Sequence, residues 1–184
     1  MGEDGTAVLL LHPDDFRATT RPEKAGFELR PIPGVQALEP YQSALAELWY
    51  PGLVDSWRGP FSWGEKLYLG LVDGQPVSFN WMQVGSASGS AVHWGRIFEG
   101  EFRILRGGVA PSMRGQGLNT IMKHRLIESM FDAGATRAYA ECYEANIPSV
   151  RTLEKLAFRA FARLEVLELP LVRNFVRWRG LPKD

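Results

Sequence analysis

Val109-Ala110-Pro111-Ser112-Met113-Arg114-Gly115-Gln116-Gly117-Leu118-Asn119-Thr120 carries an apolar strand end through a glycine-rich turn into an amphipathic segment. A strand that feeds a helix in this way leaves the first helical N–H groups without intrahelical partners, aimed at one spot with the positive helix end behind them. Gly115 and Gly117 let the backbone take positive φ and let an anion approach without meeting a Cβ, while Arg114 sets a fixed positive charge beside them. The stretch reads as a phosphate cradle. An ordinary tight turn with a surface arginine is the alternative, and the neighbouring sequence decides between them.

Upstream, residues 101–109 form a strand that delivers the chain to the turn. Residues 66–72 and 76–84 alternate on either side of Asp73-Gly74-Gln75, which predicts a hairpin. Residues 27–32 read as a further strand, closed by Pro33-Gly34. Leu38, Tyr41, Leu45, Leu48 and Trp49 then recur at helical steps until Pro51-Gly52. Residues 49–63 are predicted as an aromatic loop walling a pocket, and residues 85–90 as a flexible connection. Downstream, Leu118, Ile121, Met122, Leu126 and Met130 make a helical stripe. A strand follows over 136–143, then a helix capped by Asn146 with Pro148 in its first turn. Strands over 161–169 and 174–178 complete the reading. Residues 1–26 are predicted as an N-terminal extension and 27–184 as one domain.

The chain has 184 residues, 45% of them apolar and 23% charged, the balance of a globular domain. Its net charge is zero but divided: residues 1–102 hold 7 basic against 13 acidic side chains, and residues 103–184 hold 14 against 8. The positive part contains the cradle, which suits a polyanionic ligand, yet its basic residues are too scattered for a nucleic-acid stripe. The single cysteine, Cys142, forms no internal disulfide. No apolar run is long enough to span a membrane, and a cytoplasmic location is the default expectation. His12, His93 and His124 lack metal-ligand spacing, so no metal is predicted.

The order of hairpin, strand, Arg-Gly-Gln-Gly turn, helix, strand, Asn-capped helix and strand resembles the GNAT acyltransferase superfamily. Its loop pattern, Arg/Gln-x-x-Gly-x-Gly/Ala after Val-x-Pro, is matched by Arg114 and Gly117 after Val109-Ala110-Pro111. Its second block is matched by Asn146, Ser149, Glu154, Lys155 and Phe158. The resemblance implies an α/β (α+β) fold: a mixed, mostly antiparallel sheet flanked by helices, with a parallel strand pair splayed at an acyl-coenzyme A site. It implies acetyl-CoA, or another acyl-CoA, with the pyrophosphate on the amides of Arg114, Gly115, Gln116, Gly117, Leu118, Asn119 and Thr120. The pantetheine arm would lie along Gly108 and Val109, faced by Asn146 and Ser149. Three positions depart from the pattern: Asn119 replaces the final small residue, Ala157 replaces the glycine before Phe158, and Leu153 stands where many members carry a thiolate-protonating tyrosine.

The implied activity is transfer of an acyl group, acetyl first among them, to a primary amine of a small molecule by direct attack in a ternary complex. An alkyl ammonium is neutral to only about one part in a thousand at pH 7, so a base is useful. Glu101 and Glu141 lead the candidates, ahead of His93, and Tyr143 is the available replacement acid. Trp57, Trp63, Trp81 and Trp94 are the expected acceptor-facing set. Two other readings stay open: an acyl-CoA-binding module without turnover, and a transferase using a longer acyl or an aminoacyl donor. Proteins of this fold commonly pair, which admits a homodimer.

Overall fold

The computed structural model describes residues 6–92, 95–169 and 172–180, with side chains up to residue 164. In chain order its strands are β1 (Thr6–Leu11), β2 (Phe27–Ile32), β3 (Lys66–Val72), β4 (Gln75–Val84), β5 (Ser90–Val92), β6 (Gly95–Ile97), β7 (Glu101–Val109), β8 (Arg137–Tyr143), β9 (Arg159–Leu169) and β10 (Val172–Gly180). The helices are α1 (Pro13–Arg17), α2 (Gln42–Leu48), α3 (Leu53–Ser56), α4 (Arg58–Ser62), α5 (Leu118–Asp132) and α6 (Ile147–Lys155), with 3-10 turns at Val35–Tyr41 and Pro111–Met113. The chain divides into two compact units, one of residues 1–19, 85–103 and 134–184, the other of residues 20–84 and 104–133. β7 gives residues 101–103 to the first and 104–109 to the second.

In the first unit the strand order is β10-β9-β1-β8, with the start of β7 beside β8. β7 and β8 run parallel, and β1 is antiparallel to both β8 and β9, so the sheet is mixed as expected. Thr6–Leu11, within the residues expected as an extension, therefore forms an interior strand. The run Ala7-Val8-Leu9-Leu10-Leu11 suits that place because an interior strand is apolar on both faces, and Val8, Leu9 and Leu11 are buried. The connection predicted over residues 85–90 runs into β5 at Ser90, which pairs with β6, and its first residue is tied down, Gly85 N–H donating to Glu101 O at 2.8 Å. A Cβ at Gly85 would fall 1.9 Å from Phe98 O, so the glycine permits two backbones to touch. α6 opens as predicted, with Asn146 Oδ1 accepting from Ser149 N–H at 3.3 Å. It ends with Ala157 in the left-handed region at φ 63°.

In the second unit β2, β3, β4 and the rest of β7 lie side by side, with Asp73 and Gly74 both at positive φ in the β3–β4 turn. Ile32, Leu38, Leu45, Leu53, Val54, Trp57, Leu67, Leu69, Leu71 and Trp81 form its main core. The segment expected as an aromatic loop is instead α3 and α4, because Leu53, Val54 and Trp57 have this core to bury into. Pro40 removes a donor, and the helix expected from Leu38 starts as a 3-10 turn before α2. Alternation along β4 sends Trp81 to that core and Asn80 to α5, where Asn80 Oδ1 accepts from Lys123 Nζ at 2.8 Å. This acceptor explains why α5 buries Lys123 inside its apolar face, beyond the stripe the spacing predicted.

Candidate functional site

The cradle lies wholly in the second unit. After β7 the chain turns through Pro111–Met113, extends at Arg114, and enters α5 through Gly115 at φ 78° and Gly117 at φ 72°. A Cβ at either glycine would meet nothing within 4 Å, so both are required by conformation, and the space over the turn is open to a ligand. Arg114 N–H donates to Pro111 O at 3.4 Å and Thr120 N–H to Gly117 O at 3.0 Å. The amides of Gly115, Gln116, Gly117, Leu118 and Asn119 donate to no protein acceptor among the described residues. Leu118 is buried against Val77 and Ile121 and anchors the helix start. Lys24 Nζ donates to Gln116 Oε1 at 3.3 Å, placing a second cation at the loop. Neither Lys24 nor Arg114 has a carboxylate partner among the described residues. The sequence offered no periodic signal for Lys24, which sits in an irregular segment.

Behind the loop, a Cβ at Gly107 would lie 2.5 Å from Asn80 Oδ1 and 2.8 Å from Phe79 O, and one at Gly108 would lie 3.0 Å from the Phe79 ring. β7 therefore approaches β4 closely just before Val109. Trp57 and Trp81 are buried; the Trp81 ring packs edge-on against Phe61 and Trp57, and Arg106 covers it at 5.2 Å while pairing with Glu65. Trp63 is 71% exposed, and Trp94 and His93 lie outside the described residues. Trp57 and Phe61 of the stretch read as an aromatic pocket wall thus join the core, and a cavity of about 350 Å³ in this unit is lined by Leu48, Val72, Pro76, Val77 and Met113 together with Glu47, Gln75 and Ser112.

The acid–base candidates lie in the first unit. Glu101 is buried and engaged on both oxygens: Oε2 accepts Phe98 N–H at 2.9 Å, and Oε1 accepts Arg137 Nη1 and the Tyr139 hydroxyl, each at 3.2 Å. Burial and the Glu101 charge both push the Tyr139 hydroxyl pKa up. Glu141 accepts from Arg103 Nη1 at 2.6 Å and keeps part of its side chain accessible. Tyr143 is exposed at the end of β8. The Asn146 side chain serves as the α6 cap, with Ser149 supplying the capped N–H, and Leu153 is buried in α6. Cys142 is buried, as alternation from Glu141 predicts. No described helix is long and apolar enough to cross a membrane.

Comparison with known proteins adds three findings. The model of the acetyltransferase (GNAT) family matches residues 35–158. No curated protein matches. Among solved structures, a tandem GNAT protein from the clavulanic acid biosynthesis pathway superposes with TM-score 0.64 at 16% identity, over 100% of this chain and 56% of that one. A GCN5-related N-acetyltransferase from Kribbella flavida gives 0.54 at 18% identity, over 85% of this chain and 54% of that one. An aminoglycoside N-acetyltransferase solved with CoA gives 0.52 at 14% identity, over 83% and 97%. At these identities the structural likeness speaks to fold alone, and the chain spans about half the length of the first two proteins.

Proposed function

The chain belongs to the GNAT acetyltransferase family, and on that premise we propose that it moves an acyl group, acetyl first among them, from acyl-CoA to a primary amine of a small molecule by direct attack. The open cradle carries this reading. Five unengaged amides at the positive end of a 15-residue helix, with Arg114 beside them and no Cβ over them, suit a diphosphate. The backbone at Gly108 and Val109 is assigned to the pantetheine arm. Bound there, acyl-CoA supplies an activated thioester, and the chain's own side chains manage protons and approach.

Glu141 is the preferred base, because Glu101 is held by three donors whereas Glu141 retains accessible surface. The base takes a proton from the acceptor ammonium. Tyr143 is the preferred acid for the departing thiolate, since Leu153 has no proton to give. One observation favours a second reading, an acyl-CoA-binding module without turnover: both carboxylates are ion-paired.

Calorimetric titration with acetyl-CoA tests the donor assignment, with saturable binding expected. No binding at millimolar ligand, or unchanged binding after Arg114→Ala with Gly117→Trp, refutes it. Thiol release across a panel of primary amines separates the two readings: acceptor-dependent release supports transfer, and binding without release supports the module.

A further inference from the structure

α2 ends at Leu48, and Trp49 follows with backbone dihedrals outside the helix, its N–H donating to Leu45 O at 3.2 Å. That exit carries the side chain onto β4, where the Trp49 ring meets Phe79 edge-on with centroids 5.7 Å apart. Phe79 is held in turn by Trp57, which is buried and 5.0 Å away. The body of the indole therefore packs on the rim of the main core. Its polar tip goes elsewhere. Trp49 Nε1 lies 3.5 Å from the place a Cβ would take at Gly108, and glycine leaves that place empty. Among the described residues no acceptor takes this N–H, and unlike Trp81 Nε1 it is not closed off from solvent. The end of α2 also neighbours the cradle, because Leu48 lines the same cavity as Ser112 and Met113, the residues just ahead of Arg114. All of these residues belong to one unit.

An indole N–H donates and does not accept, so the partner it lacks is an oxygen lying on Gly108. In acyl-CoA the diphosphate is matched by the five cradle amides, and the arm beyond it carries two amide carbonyls and the thioester carbonyl. Each of these needs a hydrogen bond once water is displaced. We propose that Trp49 binds the arm of acyl-CoA, its indole N–H donating to a carbonyl oxygen over Gly108. This rests on the assignment of the arm to Gly108 and Val109 made above. The contact gives the protein a means of telling a pantetheine-bearing ligand from a bare nucleotide with the same phosphates. A ring already fixed against Phe79 gives up little freedom in making it.

The test uses the full chain with two ligands: CoA, and adenosine 3′-phosphate 5′-diphosphate, which has the same phosphates and no arm. In calorimetric titration Trp49→Phe, which keeps a ring against Phe79, should raise the Kd for CoA about tenfold, the scale of one hydrogen bond whose acceptor is left unpaired. The Kd for the nucleotide should stay within about twofold. Nitrogen-15 NMR supplies a readout that packing alone does not move. Of the indole N–H signals from the six tryptophans, the one missing in Trp49→Phe should shift downfield when CoA is added to the unaltered protein, and stay in place with the nucleotide. Trp49→Tyr assigns the same signal if Trp49→Phe folds poorly. A rise in the CoA Kd of less than about threefold, a loss as large for the nucleotide, or an indole spectrum that CoA moves no more than the nucleotide does would overturn the inference and leave acyl-CoA binding intact. If the unaltered protein binds no CoA at millimolar concentration, the acyl-CoA reading falls and the inference with it.

Discussion

Replacing Gly117 by alanine separates the conformational demand of the cradle from its binding demand. At φ 72° an alanine is strained, which costs about 1–2 kcal/mol for a left-handed residue. The unfolded chain loses freedom on the same change, returning about 0.4–1 kcal/mol. Nothing lies within 4 Å of the added Cβ, so no steric term is added. The net is about 1 kcal/mol, or a fall in Tm of about 2–4 °C for a chain of this size. The methyl would nevertheless stand in the space over the amides of residues 115–119. Acetyl-CoA binding should weaken about tenfold or more, equivalent to about 1.4 kcal/mol. Differential scanning calorimetry and isothermal titration give the two numbers independently. Gly107→Ala is the contrast: its Cβ would fall 2.8 Å from Phe79 O, a backbone atom that does not swing away, and stability should fall by more than at Gly117. An unchanged acetyl-CoA Kd in Gly117→Ala, or a Tm loss as large as that of Gly107→Ala, would refute the reasoning.

Ala157→Gly should raise Tm by about 2–4 °C in a thermal melt, because it relieves about 1 kcal/mol of left-handed strain at φ 63°. Lys24→Glu should weaken acetyl-CoA binding in a titration and leave the melt almost unchanged, since Lys24 touches the loop only through Gln116. Burial lowers the pKa of His124 below its ordinary 6.5, outweighing the opposing pull of Glu128, while Arg21 lowers it further. The unfolded chain then takes up the proton first, so stability should fall as pH drops from about 7 through 6.5 and level off below the folded pKa. His124→Gln should flatten that limb in chemical denaturation series.

Strands β2 to β4 and β7 to β10, the hairpin turn and the Asn146 cap were legible because each depends on neighbours in sequence: alternation, an Asp-Gly turn and a capping side chain. The glycine loop was legible for the same reason. Trp57 and Trp81, expected to face an acceptor, lie in the core, and composition cannot tell a ring facing a ligand from one filling a core; only the packing of α3 and α4 on β3 and β4 places them. Glu101 looked like a base because its position on β7 was readable, whereas the Phe98 amide, Arg137 and Tyr139 that hold it are contacts of tertiary structure. Lys123 could not be placed without Asn80, 43 residues away. Alternation did put Cys142 opposite Glu141, and burial agrees.

The interior place of β1 bears on how the protein comes to be folded. Leu11 pairs with Ala138 and Thr6 with Tyr143, so this strand waits for one made more than a hundred residues later. Long-range pairing of this kind carries a large loop-closure cost before it is rewarded and slows folding. The longest continuous piece of the second unit, residues 20–84, can collapse meanwhile, since β2, β3 and β4 pair locally. On the ribosome the Thr6–Leu11 segment remains an unpaired apolar ribbon throughout that interval, and the time it spends exposed is the protein's window of vulnerability to aggregation.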